Sequence, residues 1–155
     1  EETMNMLQLK PITKDNWYEA VKLQVAENQK NFVASNAISL AQLNFLENFH
    51  ANAVYSGETM VGFTLFGLDE EDQQYWIYRL MIDEKYQGKG YGKQAVALIM
   101  EAIREMKEPQ HQVIHISYEP ENIVAKHVYE KAGFAEIEGL FSGDEQIARY
   151  AFVGE

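Results

Sequence analysis

Apolar positions change their period along the chain, from two to about 3.6 and back, and each change marks an element boundary. Leu7 and Leu9 alternate with polar neighbours before Pro11, which predicts a short first strand. Trp17, Ala20, Val21 and Val25 form a helical stripe, with Thr13 placed as its N-cap. The polar stretch Glu27 to Asn36, with Phe32 and Val33 inside it, predicts a turn between helices. Ser39 and Gln42 have capping-box spacing for a second helix carrying Phe45, Leu46 and Phe49. Ala53–Tyr55 and Met60–Phe66 flank Ser56-Gly57-Glu58 and predict a β-hairpin.

The strongest pattern comes after the charged loop Asp69 to Gln74. Tyr75 to Ile82 is a near-continuous aromatic and branched run, which predicts a strand buried on both faces. It ends in a turn containing Gly88, Gly90 and Gly92. Ala95, Leu98, Ile99, Ala102 and Met106 then mark a helix that stops before Pro109. Val113, Ile114 and Ile116 form another strand. Asn122 to Ala132 is helical, with Gly133 as its C-cap. Phe134–Ile137 and Ile147–Phe152 read as two last strands around a Ser142-Gly143-Asp144 turn. This order predicts one α/β domain over residues 1–155 with a mixed sheet. Residues 1–5 are expected to be a tail, disordered or foreign to the native chain.

Composition narrows the class. The chain of 155 residues has 24 acidic and 13 basic side chains, a formal net charge of −11. That balance argues against non-specific nucleic-acid binding, which sets cations against phosphates. It would steer polycations inward, although acidity for solubility alone explains most of the bulk charge. No cysteine is present, so disulfides, thiolate nucleophiles and cysteine metal sites are excluded. No apolar run reaches the ~18 residues of a membrane span, and the N-terminus has no signal-peptide pattern, so a soluble cytoplasmic protein is expected.

Strand, glycine turn and helix start together are a recipe for holding phosphate on backbone N–H groups and a helix dipole. Two familiar versions fail. Gly88-Lys89 and Gly92-Lys93 are followed by Gly90 and Gln94, not by the hydroxyl a Walker A loop needs. A dinucleotide fingerprint needs a glycine where Lys93 stands. Other chemistries fail too. His111 and His115 are ~13 Å apart on a strand, too far for one metal. No Gly-x-Ser-x-Gly elbow is present.

The pattern that remains, Gln87-x-x-Gly90-x-Gly92 after a buried strand, resembles the acetyl-CoA signature of the GCN5-related N-acetyltransferases (GNAT). A second segment, Asn122-x-x-Ala125-x-x-x-Tyr129-x-Lys131-x-Gly133-Phe134, resembles the other hallmark of that family. The two occur in the family's order, and so do the predicted elements across most of the chain. Within the family the chain looks similar to bacterial spermine/spermidine acetyltransferases, on Glu27-Asn28-Gln29 and Trp76 to Gly92. Independently of any likeness, Lys85, Lys89, Lys93, Lys126 and Lys131 fall in these two segments, where a phosphorylated ligand would need cations. Solvated helix faces explain Lys93 and Lys126 singly, but the cluster less well.

The resemblance implies a GNAT-like fold, a mostly antiparallel mixed sheet flanked by helices. It implies acetyl-CoA as co-substrate and no metal. Backbone N–H groups of Gln87, Gly88, Lys89, Gly90, Tyr91, Gly92 and Lys93 would hold the pyrophosphate. The strand end Leu80, Met81 and Ile82, splayed from its neighbour, would pair with pantetheine, and an N–H there would polarise the thioester carbonyl. Asn122 and Lys131 belong to the coenzyme site, and Asn122 serves equally well as an N-cap. Tyr129 takes the place of the family's general acid, protonating the departing thiolate. Outside that setting it reads as a core tyrosine. The resemblance also suggests a homodimer.

The implied reaction is acetyl transfer to a primary amine, by direct attack in a ternary complex. A polyamine is the expected substrate. Another small amine, a protein N-terminus, or a non-catalytic acetyl-CoA-binding module are the alternatives. An amine of pKa ~10.4 must lose a proton first, at about 4–5 kcal/mol at neutral pH. Some polyamine acetyltransferases place a carboxylate on the central strand, where this chain has Tyr78 between Ile77 and Arg79. Glu27 and the Asp69 to Asp72 loop are the substitutes. Carboxylates beside the reacting nitrogen would raise its pKa, so those that recognise a polyamine belong around the distal ammonium groups. Glu27, Glu47 and Asp69 to Asp72 are candidates, with Trp76 and Tyr78 contacting methylenes or cations. A solvated loop and packed aromatics explain each of these residues equally well.

Overall fold

The computed structural model describes residues 6–30 and 34–153. Seven strands form one sheet in the order β1-β2-β3-β4-β5-β7-β6. They are β1 (Leu7–Pro11), β2 (Phe49–Ser56), β3 (Thr59–Leu68), β4 (Tyr75–Ile82), β5 (Val113–Tyr118), β6 (Ala135–Ser142) and β7 (Glu145–Ala151). Among the described residues four α-helices accompany them: α1 (Trp17–Lys22), α2 (Asn36–Leu43), α3 (Tyr91–Met106) and α4 (Ile123–Lys131). The order of elements is the one the sequence predicts. All pairings are antiparallel except β4 with β5.

Two apolar layers hold the sheet. On one face, Ala20 of α1 and Leu40 and Leu43 of α2 pack with Phe63, Leu65 and Met81. On the other, Val96, Ile99, Met100 and Ile103 of α3 pack with Ile77, Ile114, Ile116 and Tyr129. Each large side chain so buried contributes about 1.5–3 kcal/mol. No helix among the described residues is long and apolar enough to cross a membrane.

The strand buried on both faces is β3, where Met60 to Gly67 are all buried. β4 instead leaves Trp76, Tyr78, Arg79 and Leu80 half-buried, because the strand borders two hollows, one lined by Tyr78, Arg79 and Leu80 and the other by Trp76, Tyr78 and Arg79. The helix starts also differ from expectation. Asn16, not Thr13, precedes α1, and its Oδ1 accepts from the Thr13 N–H at 2.7 Å. Trp17 is 48 % exposed, and Val25 is buried beyond the helix end, so only Ala20 of the expected stripe is buried within α1. Ser35 caps α2, its Oγ accepting from the Ile38 N–H at 3.2 Å. Ser39 lies inside that helix and donates back to the Ser35 carbonyl. Phe45, past the end of α2, is 87 % exposed. Residues 1–5, and Phe32 and Val33 of the expected turn, lie outside the described residues.

Two irregularities of β4 shape the surface beside it. Phe66 pairs with Ile77 and Leu65 with Arg79, so Tyr78 is an extra residue in a β-bulge. The bulge switches the parity of the strand. Tyr78 packs in the α1/α2 layer, and Arg79 also reaches that side, donating to Gln42 Oε1 of α2 at 3.2 Å. Ile77 and Leu80 both join the α3 layer. The second irregularity is a splay. β4 pairs with β5 only from Tyr75↔Ile114 to Ile77↔Ile116, although both strands continue.

Candidate active site

The splay opens a cleft of about 600 Å³ between β4, β5, the glycine turn and α4. Of the expected coenzyme residues, Leu80, Met81, Ile82, Gln87, Gly88, Gly90, Tyr91, Gly92, Lys93 and Asn122 line it, as does Tyr129. Lys89 and Lys131 are exposed and outside the lining. Lys85 is exposed as well, and Lys126 lies 3.8 Å from Glu136. Lys93 is thus the member of the lysine cluster that reaches the cleft.

The turn below β4 is built by side chains that bind backbone. Buried Asp83 accepts from the N–H groups of Gln24 at 3.0 Å and Lys85 at 2.9 Å. Gln87 donates from Nε2 to the Ile82 carbonyl at 2.9 Å and to Gln29 Oε1 at 3.0 Å. Gln29 therefore ties the segment after α1 to the glycine turn. Gly88 and Gly90 have φ of +82° and +81°, a region closed to most side chains, and Gly90 is the N-cap residue that leads into α3. A Cβ at either would meet nothing within 4 Å. Conformation, not crowding, requires glycine there, and the open space lets a ligand approach the backbone. Free N–H groups of the first turn of α3 face this space with the positive end of the helix dipole. Those features fit a pyrophosphate, and the unpaired edges of β4 and β5 fit an amide-bearing arm such as pantetheine.

Asn122 does cap α4: its Oδ1 accepts from the Ala125 N–H at 3.2 Å while the residue also lines the cleft. Tyr129 is 9 % exposed. Its ring stacks on Tyr118 at 6.0 Å with a 2° interplanar angle and meets Phe134 edge-on at 5.5 Å. Burial alone raises the phenol well above the ordinary tyrosine pKa, so it keeps its proton at neutral pH. Tyr118 is raised likewise, by burial and then by donating to Glu136 Oε2 at 2.8 Å.

A second hollow of about 510 Å³ adjoins the first. Its wall carries Glu47, Asp69, Glu70, Glu71, Asp72 and Glu145 beside Trp76 and Tyr78. Ile77, Tyr78, Arg79, Ser117 and Glu145 line both hollows and mark their junction at the bulge. The polar ends of the two aromatics are committed to the acidic loop. Trp76 Nε1 donates to Asp72 Oδ2 at 2.8 Å, and the Tyr78 hydroxyl donates to Asp69 Oδ2 at 2.6 Å. Burial, then this bond to Asp69, raises the Tyr78 pKa beyond the usual phenol range. His115 Nε2 accepts from Arg149 Nε at 3.1 Å, which leaves the proton on Nδ1, 3.3 Å from Asp72 Oδ2. Burial, against the pull of Asp72, lowers the His115 pKa.

Glu27 does not join either group. Its side chain is 89 % exposed, pairs with Lys30 at 3.1 Å and lines neither hollow. Gln29, Ser117 and Glu145 are site residues that spacing did not single out as such. No local pattern marks the last two, because strand pairing across the sheet brings them together.

Comparison with known proteins agrees with this geometry. Residues 14–134 match the acetyltransferase (GNAT) family. The spermine/spermidine N(1)-acetyltransferase of Bacillus subtilis (strain 168) is 28% identical over 134 residues, covering 83% of this chain and 87% of that protein. Among solved structures, aminoglycoside acetyltransferase AAC(6')-Ib in complex with coenzyme A and kanamycin superposes with a TM-score of 0.77 at 16% identity. That likeness covers 94% of this chain and 95% of the other. The PaiA N-acetyltransferase of Thermoplasma acidophilum with coenzyme A gives 0.67 at 15% identity, over 94% and 99% of the two chains. The chain belongs to the acetyltransferase (GNAT) family and is an acetyl-CoA-dependent N-acetyltransferase.

Proposed function

We propose that the acceptor is a polyamine of the spermine/spermidine class, acetylated at a primary amine by direct attack within a ternary complex. The observation that carries this reading is the acidic hollow opening onto the cleft at the β4 bulge. A primary amine entering there would leave its distal ammonium groups among Glu47, Glu70 and Glu71. Carboxylates so placed bind the remote charges and add less to the pKa of the reacting nitrogen than carboxylates beside it. The aromatic faces of Trp76 and Tyr78 suit methylenes and cations. The B. subtilis relative named for spermine and spermidine supports the same class.

In this reading acetyl-CoA supplies the activated acyl group. The N–H groups from Gln87 to Lys93 hold the pyrophosphate, and Lys93 adds a cation. The Leu80 to Ile82 backbone pairs with the pantetheine arm. Tyr129 holds its proton until the thiolate departs, then donates it.

Thiol release from acetyl-CoA across spermine, spermidine, putrescine, kanamycin and a short peptide tests the substrate class. Turnover confined to the polyamines is expected. Turnover confined to kanamycin or the peptide would keep the acetyltransferase and discard the polyamine.

A further inference from the structure

We infer that Glu145 is the general base, taking a proton from the attacking ammonium at the mouth of the splayed strands; this rests on the amine-acetylation reading above. Among the described residues it is the single carboxylate that lines the cleft, and it also lines the acidic hollow. It sits where an amine coming from one must meet an acyl donor held in the other.

Three features fix it there. Ser117 is the first residue of β5 beyond the last β4 pair, Ile77↔Ile116, so it stands where the strands part. β7 pairs with β5 through Ser117↔Ile147 and Tyr118↔Gln146, which places the first residue of β7 beside that opening. The Ser117 hydroxyl donates to Glu145 Oε1 at 2.7 Å, setting the direction of the carboxylate. Glu145 is half-buried, so it is shielded yet reachable.

The other carboxylates are engaged or remote. Asp69 and Asp72 accept from Tyr78 and Trp76. Asp83 is consumed by backbone N–H groups of its own turn and of Gln24. Glu47, Glu70 and Glu71 line the hollow but not the cleft. Glu27 lines neither and pairs with Lys30.

The step balances in atoms and charge. The ammonium gives one proton to Glu145, and the freed nitrogen lone pair attacks the acetyl carbonyl carbon. A C–N bond forms, the C–S bond breaks, and the leaving thiolate takes the Tyr129 proton. The second nitrogen proton returns to the phenolate, and Glu145 releases its own proton to solvent. The sum is one amide, one thiol and one proton. Loss of hydration as the site fills disfavours separated charges and lowers the cost of the first transfer.

Glu145→Gln keeps an acceptor for Ser117 and removes the base. At pH 7 its kcat on an accepted amine is expected to fall roughly 10²-fold, with acetyl-CoA affinity by calorimetry unchanged. The deficit should shrink as pH approaches 10, where solvent already supplies free amine. A variant matching the wild type at pH 7, or one that loses only amine KM, overturns the base. So does a deficit constant across pH. A wild type inactive on every amine overturns the acetylation reading and this inference together, whereas an active wild type with an unimpaired variant overturns this inference alone.

Discussion

The Tyr78 phenol donates to Asp69 Oδ2 at 2.6 Å, so the extra residue of the β4 bulge is also the anchor of the acidic loop. This side chain therefore links the strand that opens the cleft to the loop that lines the hollow, and Trp76 adds a second tie through Asp72. Tyr78→Phe keeps the ring against Phe49 (4.5 Å between centroids) and removes only this tie. We expect amine KM to rise several-fold and acetyl-CoA affinity to stay constant. Steady-state kinetics in both substrates checks this, and an unchanged amine KM would sever loop from recognition.

Glu70 and Glu71 offer their charges to the hollow, and exposed charges act through a screened field. Glu70→Gln with Glu71→Gln should raise spermine KM several-fold at low ionic strength. The effect should fade at 1 M salt, where the screening length is about 3 Å. Persistence of the full effect at high salt would mean short-range contacts instead.

Tyr129→Phe leaves the stacking on Tyr118 intact and deletes the proton. Turnover is expected to drop roughly 10²-fold with acetyl-CoA affinity nearly unchanged. Because burial raises the phenol pKa, the wild type should show no loss of rate near pH 10 from this group. Equal turnover of the two proteins would remove Tyr129 from the chemistry.

His115 carries a pKa below its ordinary value, chiefly through burial, with Arg149 lowering it and Asp72 opposing. Linkage gives the sign. The unfolded chain takes up the proton first as pH falls, so the stabilisation by neutral His115 is complete above about pH 6.5 and is lost as pH drops through the folded value. The melting temperature of the wild type should fall between pH 7 and pH 5 more steeply than that of His115→Gln. Parallel curves would show that another group governs the acid limb.

Gly62 of β3 pairs with Ile82, and a Cβ there would stand 2.5 Å from the Met81 carbonyl oxygen and 2.8 Å from Ile82 Cδ1. Gly62→Ala must push β4 away from β3. We expect lower stability together with weaker acetyl-CoA binding, read by thermal melting and calorimetry. Loss of stability without loss of affinity would show that the strand end moves freely.

Much of the fold and the cleft was legible in the sequence because the signals are local. The β4 run, the glycine turn and the apolar stripe of α3 each lie within one window, whereas the roles expected of Asn122 and Tyr129 come from the resemblance to the GNAT family. Helix starts were less legible. Ser39 and Gln42 mimic a capping box, yet Ser35 takes the cap, and Ser39 lies one turn inside the helix with its hydroxyl donating back to the Ser35 carbonyl. The bulge at Tyr78 left no mark, since one extra residue disturbs alternation only through its partner strand. Glu145 was silent for the same reason: its meaning depends on Ser117, 28 positions away.

The splay between β4 and β5 also has a mechanical meaning. Among the described residues, three residue pairs are all the strand pairing that joins the half-sheet β1–β4 to the half-sheet β5–β7. An amide-bearing ligand lying between them would serve as the missing rungs of that ladder and stitch the halves together. The protein should then melt as a looser assembly alone and as one firmer unit when saturated. At a ligand concentration 100 times Kd, linkage sets the gain at about 2.7 kcal/mol. Amide exchange at Leu80 would slow by the largest factor, because its N–H points away from β3 and would gain a partner that the fold itself withholds.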